Sequence, residues 1–328
     1  MSSTSVFKGE QVLAFITAGD IHGDSKKREK YREFVSRRLE QVDFINFAGD
    51  YLVTPLKDLH EASRKIASHL ESFSDLSVPV TCLGGNYEPH YAVNIAVEEL
   101  GGALKSIGAE KSEKLPAPGA VLNIDEFKLV GVEGSNPING TYPGERSEEE
   151  LEWALSSAIS SAGRADIVLT HAPPYGFRDT LGSYGLPPHM WGKHVGSTAF
   201  RKLAEEHKPI LFVSGHIHEA LGLTVVDWST GKIVLDRDIS ESVYRAIIIA
   251  PEDKKFTVFV SHGTLEYWNT MIVRILKSAD KVAVEVTKTK SGELDSLTKL
   301  AVKLFKRKYY DDVVVVGEGA GLEDKNKH

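Results

Sequence analysis

The chain has 328 residues, and 41% of them are hydrophobic, which is enough for a large buried core. Its 46 acidic and 39 basic side chains give a net charge of −7, which argues against a nucleic-acid partner, for which a basic surface is expected. The single cysteine, Cys82, excludes an intrachain disulfide framework. Residues 1–11 lack a signal-peptide layout and no run reaches the roughly 18 apolar residues of a membrane helix, so a cytoplasmic protein without a membrane partner is expected.

The first part of the chain alternates short apolar runs with amphipathic segments. The apolar runs, which we interpret as buried strands, are residues 12–17, 44–48, 78–83, 167–170 and 210–214. The segments with helical spacing are residues 25–41, 56–73, 93–100 and 148–161. A hairpin is predicted from residues 121–124 and 128–132. This alternation predicts an α/β protein.

The second part is richer in strand patterns. Residues 173–196 form a Gly-, Pro- and aromatic-rich segment that is too long for an ordinary connection. Residues 222–255 hold two or three strand-like runs and are interpreted as a β-rich insert. Residues 271–276 and 281–287 predict a closing hairpin. Residues 291–328 predict a C-terminal helix and a polar tail.

Polar side chains that can bind metal follow each of the five apolar runs. They are Asp20, His22, Asp50, Asn86, His171, His216 and His218. Because α/β sheets build their sites at the carboxyl ends of strands, we expect these side chains to meet. A mixed set of carboxylate, amide and imidazole ligands suits divalent transition metals. The sequence therefore predicts one metal centre.

These blocks resemble, in content and order, the motifs of the calcineurin-like metallophosphoesterase superfamily. The blocks are Asp20-Ile21-His22, Gly49-Asp50, Gly84-Gly85-Asn86-Tyr87-Glu88, Thr170-His171-Ala172-Pro173-Pro174, Gly215-His216-Ile217-His218 and, as a sixth, Ser261-His262-Gly263-Thr264. The stretch 194–221 is similar to the small stand-alone phosphodiesterase branch. The resemblance implies a four-layer α/β/β/α sandwich of two mixed β-sheets. The metallophosphoesterase domain would cover residues 12–290, after an extension at 1–11.

The resemblance also implies a binuclear centre that hydrolyses phosphoesters, most often phosphodiesters. Asp50 would bridge two divalent ions of Mn, Fe, Zn, Co or Ni. The remaining ligands would be Asp20, His22 and His218 for the first ion and Asn86, His171 and His216 for the second. Two such ions activate a bridging water as hydroxide and neutralise charge on the phosphoryl oxygens.

One position departs from the family's pattern. Where the family has a histidine that protonates the leaving oxygen, this chain has Tyr87. A phenol with a pKa of about 10 donates a hydrogen bond but transfers its proton less readily than an imidazolium. Tyr87 is thus a candidate for catalysis and substrate binding, while His90, His194 and the catalytic candidate His262 are alternative sources of the proton. Glu88 is expected to orient a ligand or Tyr87 from behind.

The long loop, residues 173–196, is expected to contact the substrate because it follows a strand-end ligand. Its candidate pocket residues are Phe177, Arg178, Tyr184, His189, Trp191, Lys193 and His194. Of these, Arg178 and His194 are the principal substrate-binding candidates, and the substrate would be a small or medium phosphoester. The alternative is that the aromatic side chains only pack the loop.

Two other functions stay open. A nuclease is disfavoured by the acidic net charge and by the lack of an appended DNA-capping domain. A non-catalytic, metal-binding interaction scaffold of the same fold is kept open by Tyr87, whereas the complete set of ligands favours an enzyme. Finally, the insert at 222–255 has runs too apolar for bare edge strands, which suggests a lid or a contact between subunits of a homo-oligomer.

Overall fold

The computed structural model of the chain describes residues 7–110, 118–137, 140–182, 187–239, 244–265, 269–290 and 311–317. In chain order, the strands of this part are β1 (Glu10–Ala18), β2 (Phe44–Ala48), β3 (Val80–Leu83), β4 (Leu104–Ser106), β5 (Ala120–Ile124), β6 (Phe127–Val132), β7 (Ile167–Thr170), β8 (Leu211–Ser214), β9 (Gly222–Asp227), β10 (Lys232–Asp238), β11 (Tyr244–Pro251), β12 (Phe256–Ser261), β13 (Asn269–Lys277), β14 (Lys281–Lys290) and β15 (Asp312–Val315). The α-helices are α1 (Ser25–Ser36), α2 (Leu59–Leu70), α3 (Ala92–Leu100), α4 (Glu148–Ala162) and α5 (Thr198–His207). Short 3-10 turns cover Leu39–Gln41, Glu71–Phe73 and Pro188–Met190.

The strands form two mixed sheets. The first has the order β15-β11-β14-β13-β1-β2-β3-β4 and the second the order β10-β9-β12-β8-β7-β6-β5. In the first sheet β1 is parallel to β2 and antiparallel to β13. In the second sheet β7 is parallel to β6 and β8, while β9 is antiparallel to β12. The carboxyl ends of β1, β2 and β3 therefore lie at one edge of the first sheet, and those of β6, β7 and β8 at one edge of the second.

The alternation of side chains along the strands creates the layers. Leu13 and Phe15 of β1 pack into a core that both sheets share, whereas Ala14 and Ile16 face the cluster that includes α1, α2 and α3. The outer face of the second sheet packs on α4 and α5, for example through Phe212. The order of the layers is thus helices, sheet, sheet, helices, and the predicted α/β/β/α sandwich is confirmed.

Two helices are shorter than predicted, and a capping side chain explains the start of one of them. The helix expected over 56–73 begins at Leu59 because the Asp58 carboxylate accepts a hydrogen bond from the Glu61 N–H at 2.7 Å. The helix expected over 25–41 is capped by Asp24 and ends at Ser36, and its last residues form a separate 3-10 turn. In the described part of the chain, none of the helices is both long and apolar enough to cross a membrane.

The β-rich segment at 222–255 is divided between the two sheets. Its β9 pairs with β10 and β12 in the second sheet, and its β11 lies between β14 and β15 in the first. The apolar side chains of β9 and β11, such as Val225 and Ile248, are buried in the shared core. These runs are therefore not bare edges, so the reason for expecting a lid or a subunit contact there does not hold. The helix predicted in the C-terminal region lies outside the described residues.

Candidate metal centre

Backbone hydrogen bonds join the loops that carry the candidate ligands. The Asp20 N–H donates to the Gly49 carbonyl at 2.9 Å, and the His22 N–H donates to the Asp50 carbonyl at 3.1 Å. These bonds align the loop after β1 with the loop after β2. The Gly215 N–H donates to the carbonyl of His171 at 2.9 Å, which joins the loops after β7 and β8 in the same way.

Four of the ligand positions have a left-handed backbone. The φ angles are 53° at Asp20, 46° at His22, 50° at Asp50 and 67° at His216. For a residue with a Cβ this conformation costs about 1–2 kcal/mol. Such strain persists where the surrounding structure enforces it, and it is typical of functional sites. Here the sharp turns direct side chains from separate strand ends toward one another.

The candidate ligands form two adjacent groups. In the first, Asp20 Oδ1 lies 3.3 Å from His218 Nε2, and His22 Nε2 lies 3.2 Å from the same nitrogen. The second consists of Asp50, His171 and His216, and within each group the potential ligand atoms lie within 4.8 Å of one another.

Asp50 lies between the two groups. Its Oδ2 is 3.5 Å from His171 Nε2 in one group and 4.0 Å from His22 Nε2 in the other. Asn86 adds a neutral oxygen to the second group, since its Oδ1 is 3.0 Å from His171 Nε2. The structure thus brings all seven predicted ligands together.

The protonation of the histidines fits metal binding. His171 Nδ1 contacts the Ala48 carbonyl at 2.7 Å, and His22 Nδ1 contacts the Leu52 carbonyl at 3.2 Å. Because a carbonyl oxygen only accepts, both Nδ1 atoms donate, and each Nε2 is left available as a ligand. His216 Nε2 is buried and has no hydrogen-bond partner within the described residues. A cation would satisfy these inward-facing nitrogen atoms.

The charges of the centre favour a bound cation. Burial raises the pKa of Asp20, but the hydrogen bond with His218 and the nearby imidazoles hold it well below its ordinary value. Burial and the neighbouring His171 lower the pKa of His216 to about 3, so this imidazole is neutral, as a ligand must be. Burial lowers the pKa of His171, but the neighbouring Asp50 raises it overall, because the buried carboxylate favours positive charge on the adjacent ring. The space between these two side chains therefore attracts positive charge.

Glu88 supports the centre from behind. This buried carboxylate accepts hydrogen bonds from four backbone N–H groups: Gly85 at 2.7 Å, Tyr51 at 2.9 Å, Asp50 at 3.0 Å and Leu52 at 3.1 Å. It thereby ties the loop after β2 to the loop after β3. Burial and the nearby Asp50 raise the pKa of Glu88, while the donated hydrogen bonds lower it and favour the ionised form. This is the geometry of a residue that orients ligands.

Tyr87 borders the centre. Its ring meets the His22 ring edge-on with centroids 5.1 Å apart, and its N–H donates to Asp50 Oδ1 at 3.1 Å. Burial and the negative charge of Asp50 raise the pKa of Tyr87 to about 12. A hydroxyl with this pKa is suited to donating a hydrogen bond and poorly suited to releasing its proton.

A second tyrosine, Tyr142, was not identified from the sequence. Its ring stacks on Tyr87 with centroids 5.3 Å apart and an interplanar angle of 21°. The loop is held there because the Gly144 N–H donates to the Asn86 carbonyl at 3.0 Å. A Cβ at Gly144 would collide with the Gly85 carbonyl, so only glycine permits this approach. The sequence Tyr142-Pro143-Gly144 is typical of a turn, but it does not indicate which strand end the turn contacts.

His262 does not occupy the position expected of a general acid. It is fully buried, and its Nδ1 donates to the Gly263 carbonyl at 2.8 Å. Burial lowers its pKa to about 4, so the ring is neutral. It lies behind Asp20: a Cβ built on Gly215 would be 2.9 Å from His262 Nε2 and 2.6 Å from Asp20 Oδ2. A leaving group cannot reach this ring, and the geometry favours support of Asp20 over proton donation.

Arg178 is also placed differently from the expectation of substrate contact. Its Nε and Nη2 donate to the carbonyls of Ala220 and Leu221 at 3.0 and 3.2 Å, and its Nη1 pairs with Asp236 at 3.0 Å. The guanidinium therefore links the long loop to β10 and the start of β9. Because its side chain is only 10% exposed, it is not available to a phosphate.

Other residues of the long loop divide between packing and surface. Phe177 is buried and stacks on Phe259 with centroids 4.0 Å apart, so it packs the fold. Trp191 is exposed, and Tyr184 lies outside the described residues. Of the two principal substrate-binding candidates of this loop, His194 is open to solvent, with a side chain 46% exposed, whereas Arg178 is not.

Comparison with known proteins agrees with the ligand pattern and the fold. The model of the calcineurin-like phosphoesterase family matches residues 13–220, and the chain belongs to this family. Over 166 residues the chain is 30% identical to the uncharacterized protein MJ1162 of Methanocaldococcus jannaschii. The match covers 48% of this chain and 67% of that protein.

Solved structures are similar to the chain at low sequence identity. TT1561 of Thermus thermophilus is similar with a TM-score of 0.51 and 14% identity, over 80% of this chain and 94% of that one. A dimetal phosphatase from Danio rerio is similar with a TM-score of 0.45 and 12% identity, over 86% of this chain and all (100%) of that one. At such identities the likeness to TT1561 shows a common fold.

Proposed function

We propose that the protein is a metal-dependent phosphoesterase that hydrolyses small or medium phosphodiesters at a binuclear centre. The observation that carries this proposal is the position of Asp50 between two ligand groups that are adjacent and built at strand ends. A carboxylate has two oxygens and can serve two ions at once, and paired ions about 3.5–4 Å apart are suited to phosphoester hydrolysis.

Each part of the candidate centre has a role in this proposal. The first ion would be held by Asp20, His22 and His218, and the second by Asn86, His171 and His216, with Asp50 shared. When bound, such ions supply an activated hydroxide and neutralise phosphoryl charge.

Three side chains assist the ligands. Glu88 fixes the two loops that carry Asp50 and Asn86, so the ligand atoms stay at the required distances. Tyr87, whose ring lies against His22, would donate a hydrogen bond from its hydroxyl to a phosphoryl oxygen, and Tyr142 would hold that ring in place by stacking.

Metal reconstitution with an activity assay tests the proposal. The protein would be stripped with a chelator, dialysed against Mn, Fe, Zn, Co or Ni separately, and analysed for bound metal. We expect two ions per chain and hydrolysis of a bis-aryl phosphodiester, because the ligand set mixes imidazole and oxygen donors. At most trace metal after reconstitution would reject the binuclear centre. Two bound ions without hydrolysis of any phosphoester would favour a non-catalytic scaffold.

Tyr87→Phe tests the role of the phenol. If the hydroxyl binds a phosphoryl oxygen, its loss should lower kcat/KM by roughly 10- to 100-fold for all leaving groups, since one hydrogen bond to a charged group is worth about 1.5–3 kcal/mol. The measurement is kcat/KM over phosphodiesters of graded leaving-group pKa. Tyr31→Phe is the matched control, because it removes the hydroxyl of a buried tyrosine of α1 that has no hydrogen-bond partner within the described residues. An unchanged kcat/KM in Tyr87→Phe would limit Tyr87 to shaping the pocket.

A further inference from the structure

Asp179 and His194 form a hydrogen-bonded pair outside the set of ligands. Asp179 is fully buried, and its Oδ1 lies 2.6 Å from His194 Nδ1. Its Oδ2 accepts hydrogen bonds from the N–H groups of Gly176 and Gly196 at 2.9 and 3.0 Å. An ionised carboxylate only accepts, so Nδ1 of His194 carries the hydrogen of this bond. The ring is held in one orientation, as in other carboxylate–imidazole pairs that transfer protons.

The other edge of the imidazole is open. The side chain is 46% exposed, and within the described residues its Nε2 makes no hydrogen bond. The ring of Tyr175 packs beside it with centroids 5.6 Å apart. The buried Asp179 therefore orients a partly exposed imidazole whose Nε2 has no partner within the described residues. A histidine that only packs on the surface does not require such an orienting carboxylate.

Contacts of the neighbouring residues join the loop that carries His194 to segments of the candidate centre. Val195 packs in an apolar cluster with Ile217, the residue between the ligands His216 and His218. The carbonyl of Val195 accepts a hydrogen bond from Asn136 Nδ2 at 3.0 Å.

Asn136 belongs to the segment that also supports Tyr142. The adjacent Ser135 pairs with Glu145, three residues beyond Tyr142. The loop that carries His194 is therefore joined on one side to the strand-end histidines and on the other to the segment that supports the tyrosine pair.

We propose that His194, oriented by Asp179, donates the proton that the leaving group takes up. This inference rests on the proposed phosphoesterase function. Hydroxide adds to phosphorus, the bond from phosphorus to the leaving oxygen breaks, and its electron pair stays on that oxygen. The proton on Nε2 of the His194 imidazolium passes to this oxygen, and solvent reprotonates the neutral imidazole before the next turnover. His194 would thus supply the proton that the phenol of Tyr87 transfers less readily.

The test is the dependence of kcat/KM on the leaving group in the metal-loaded, full-length protein. We expect His194→Gln to lower kcat/KM by roughly 10²-fold or more for alkyl phosphodiesters, which need a proton, and by less than about threefold for nitrophenyl esters. Asp179→Asn should show the same pattern at smaller amplitude, because the imidazole loses its orienting partner. His207→Gln, an exposed histidine at the end of α5, is the matched control and should leave both rates unchanged.

Three outcomes are distinguishable. A steeper leaving-group dependence in His194→Gln with unchanged metal content supports the inference. An equal loss on alkyl and nitrophenyl esters, or no loss, overturns it while the proposed function stands, because a structural or binding role does not discriminate between leaving groups. A parent protein that binds two ions but hydrolyses neither class rejects the proposed function and the inference together.

Discussion

Asp50→Asn is expected to lower kcat/KM for phosphodiesters by roughly 10³-fold, which corresponds to about 4 kcal/mol of transition-state stabilisation. The physical reason is that the Asp50 carboxylate reaches both ligand groups, at 3.5 Å from His171 Nε2 and 4.0 Å from His22 Nε2. An amide of the same shape offers one neutral oxygen and cannot balance two cations. Steady-state kinetics and elemental analysis on the same preparation measure activity and bound metal.

Two further variants make the Asp50 result specific. His22→Gln should reduce the occupancy of one ion, because His22 belongs to a single ligand group, whereas Asp50→Asn should reduce the occupancy of both. Asp58→Asn changes the same functional group at the start of α2, where asparagine caps equally well, and should leave activity unchanged. Full occupancy of both ions and parent-like activity in Asp50→Asn would contradict the bridging role.

Glu88→Ala is expected to lower the free energy of unfolding by about 4 kcal/mol or more. The carboxylate accepts four buried backbone N–H groups, and each buried donor that loses its acceptor costs about 1–3 kcal/mol. Urea unfolding of the metal-free proteins measures the effect without a contribution from bound ions.

Milder variants keep the Glu88 prediction testable if the alanine variant fails to fold. Glu88→Gln retains one acceptor oxygen and places an NH₂ group against backbone donors, so its loss should be smaller but still exceed about 1 kcal/mol. Glu99→Ala, on the exposed face of α3, should change stability by less than about 0.5 kcal/mol. A loss below about 1 kcal/mol in Glu88→Ala would mean that water or a rearranged loop replaces the carboxylate.

The layers and the proximity of the candidate ligands could be predicted because both depend on local pattern. Each ligand follows a short apolar run, and parallel strands bring their carboxyl ends together without any knowledge of the loops. The spacing in His216-Ile217-His218 was likewise visible in the sequence. The assignment of the candidate ligands to two ions came from the family resemblance, because the spacing of the residues does not indicate it.

The supporting residues could not be predicted, because they depend on contacts between distant loops. Tyr142 lies 55 positions after Tyr87 and reaches it only because Gly144 packs on the backbone beside Asn86. Arg178 looked like a phosphate ligand, but whether a guanidinium is already engaged by carbonyl groups depends on the course of the chain at Ala220 and Leu221. The burial of His262 and the division of residues 222–255 between two sheets are tertiary facts of the same kind.

The left-handed backbone at Asp20, His22, Asp50 and His216 means that each of these candidate ligands lowers the stability of the metal-free fold. Glycine adopts such φ angles freely, so a glycine at one of these positions should unfold at a higher temperature than an alanine, with a difference of about 1 kcal/mol in the free energy of unfolding of the metal-free chains. Equal unfolding temperatures for a glycine and an alanine variant would show that the turns relax at no cost. If these side chains hold the proposed ions, a glycine at any of the four turns would stabilise the metal-free chain and at the same time remove a ligand.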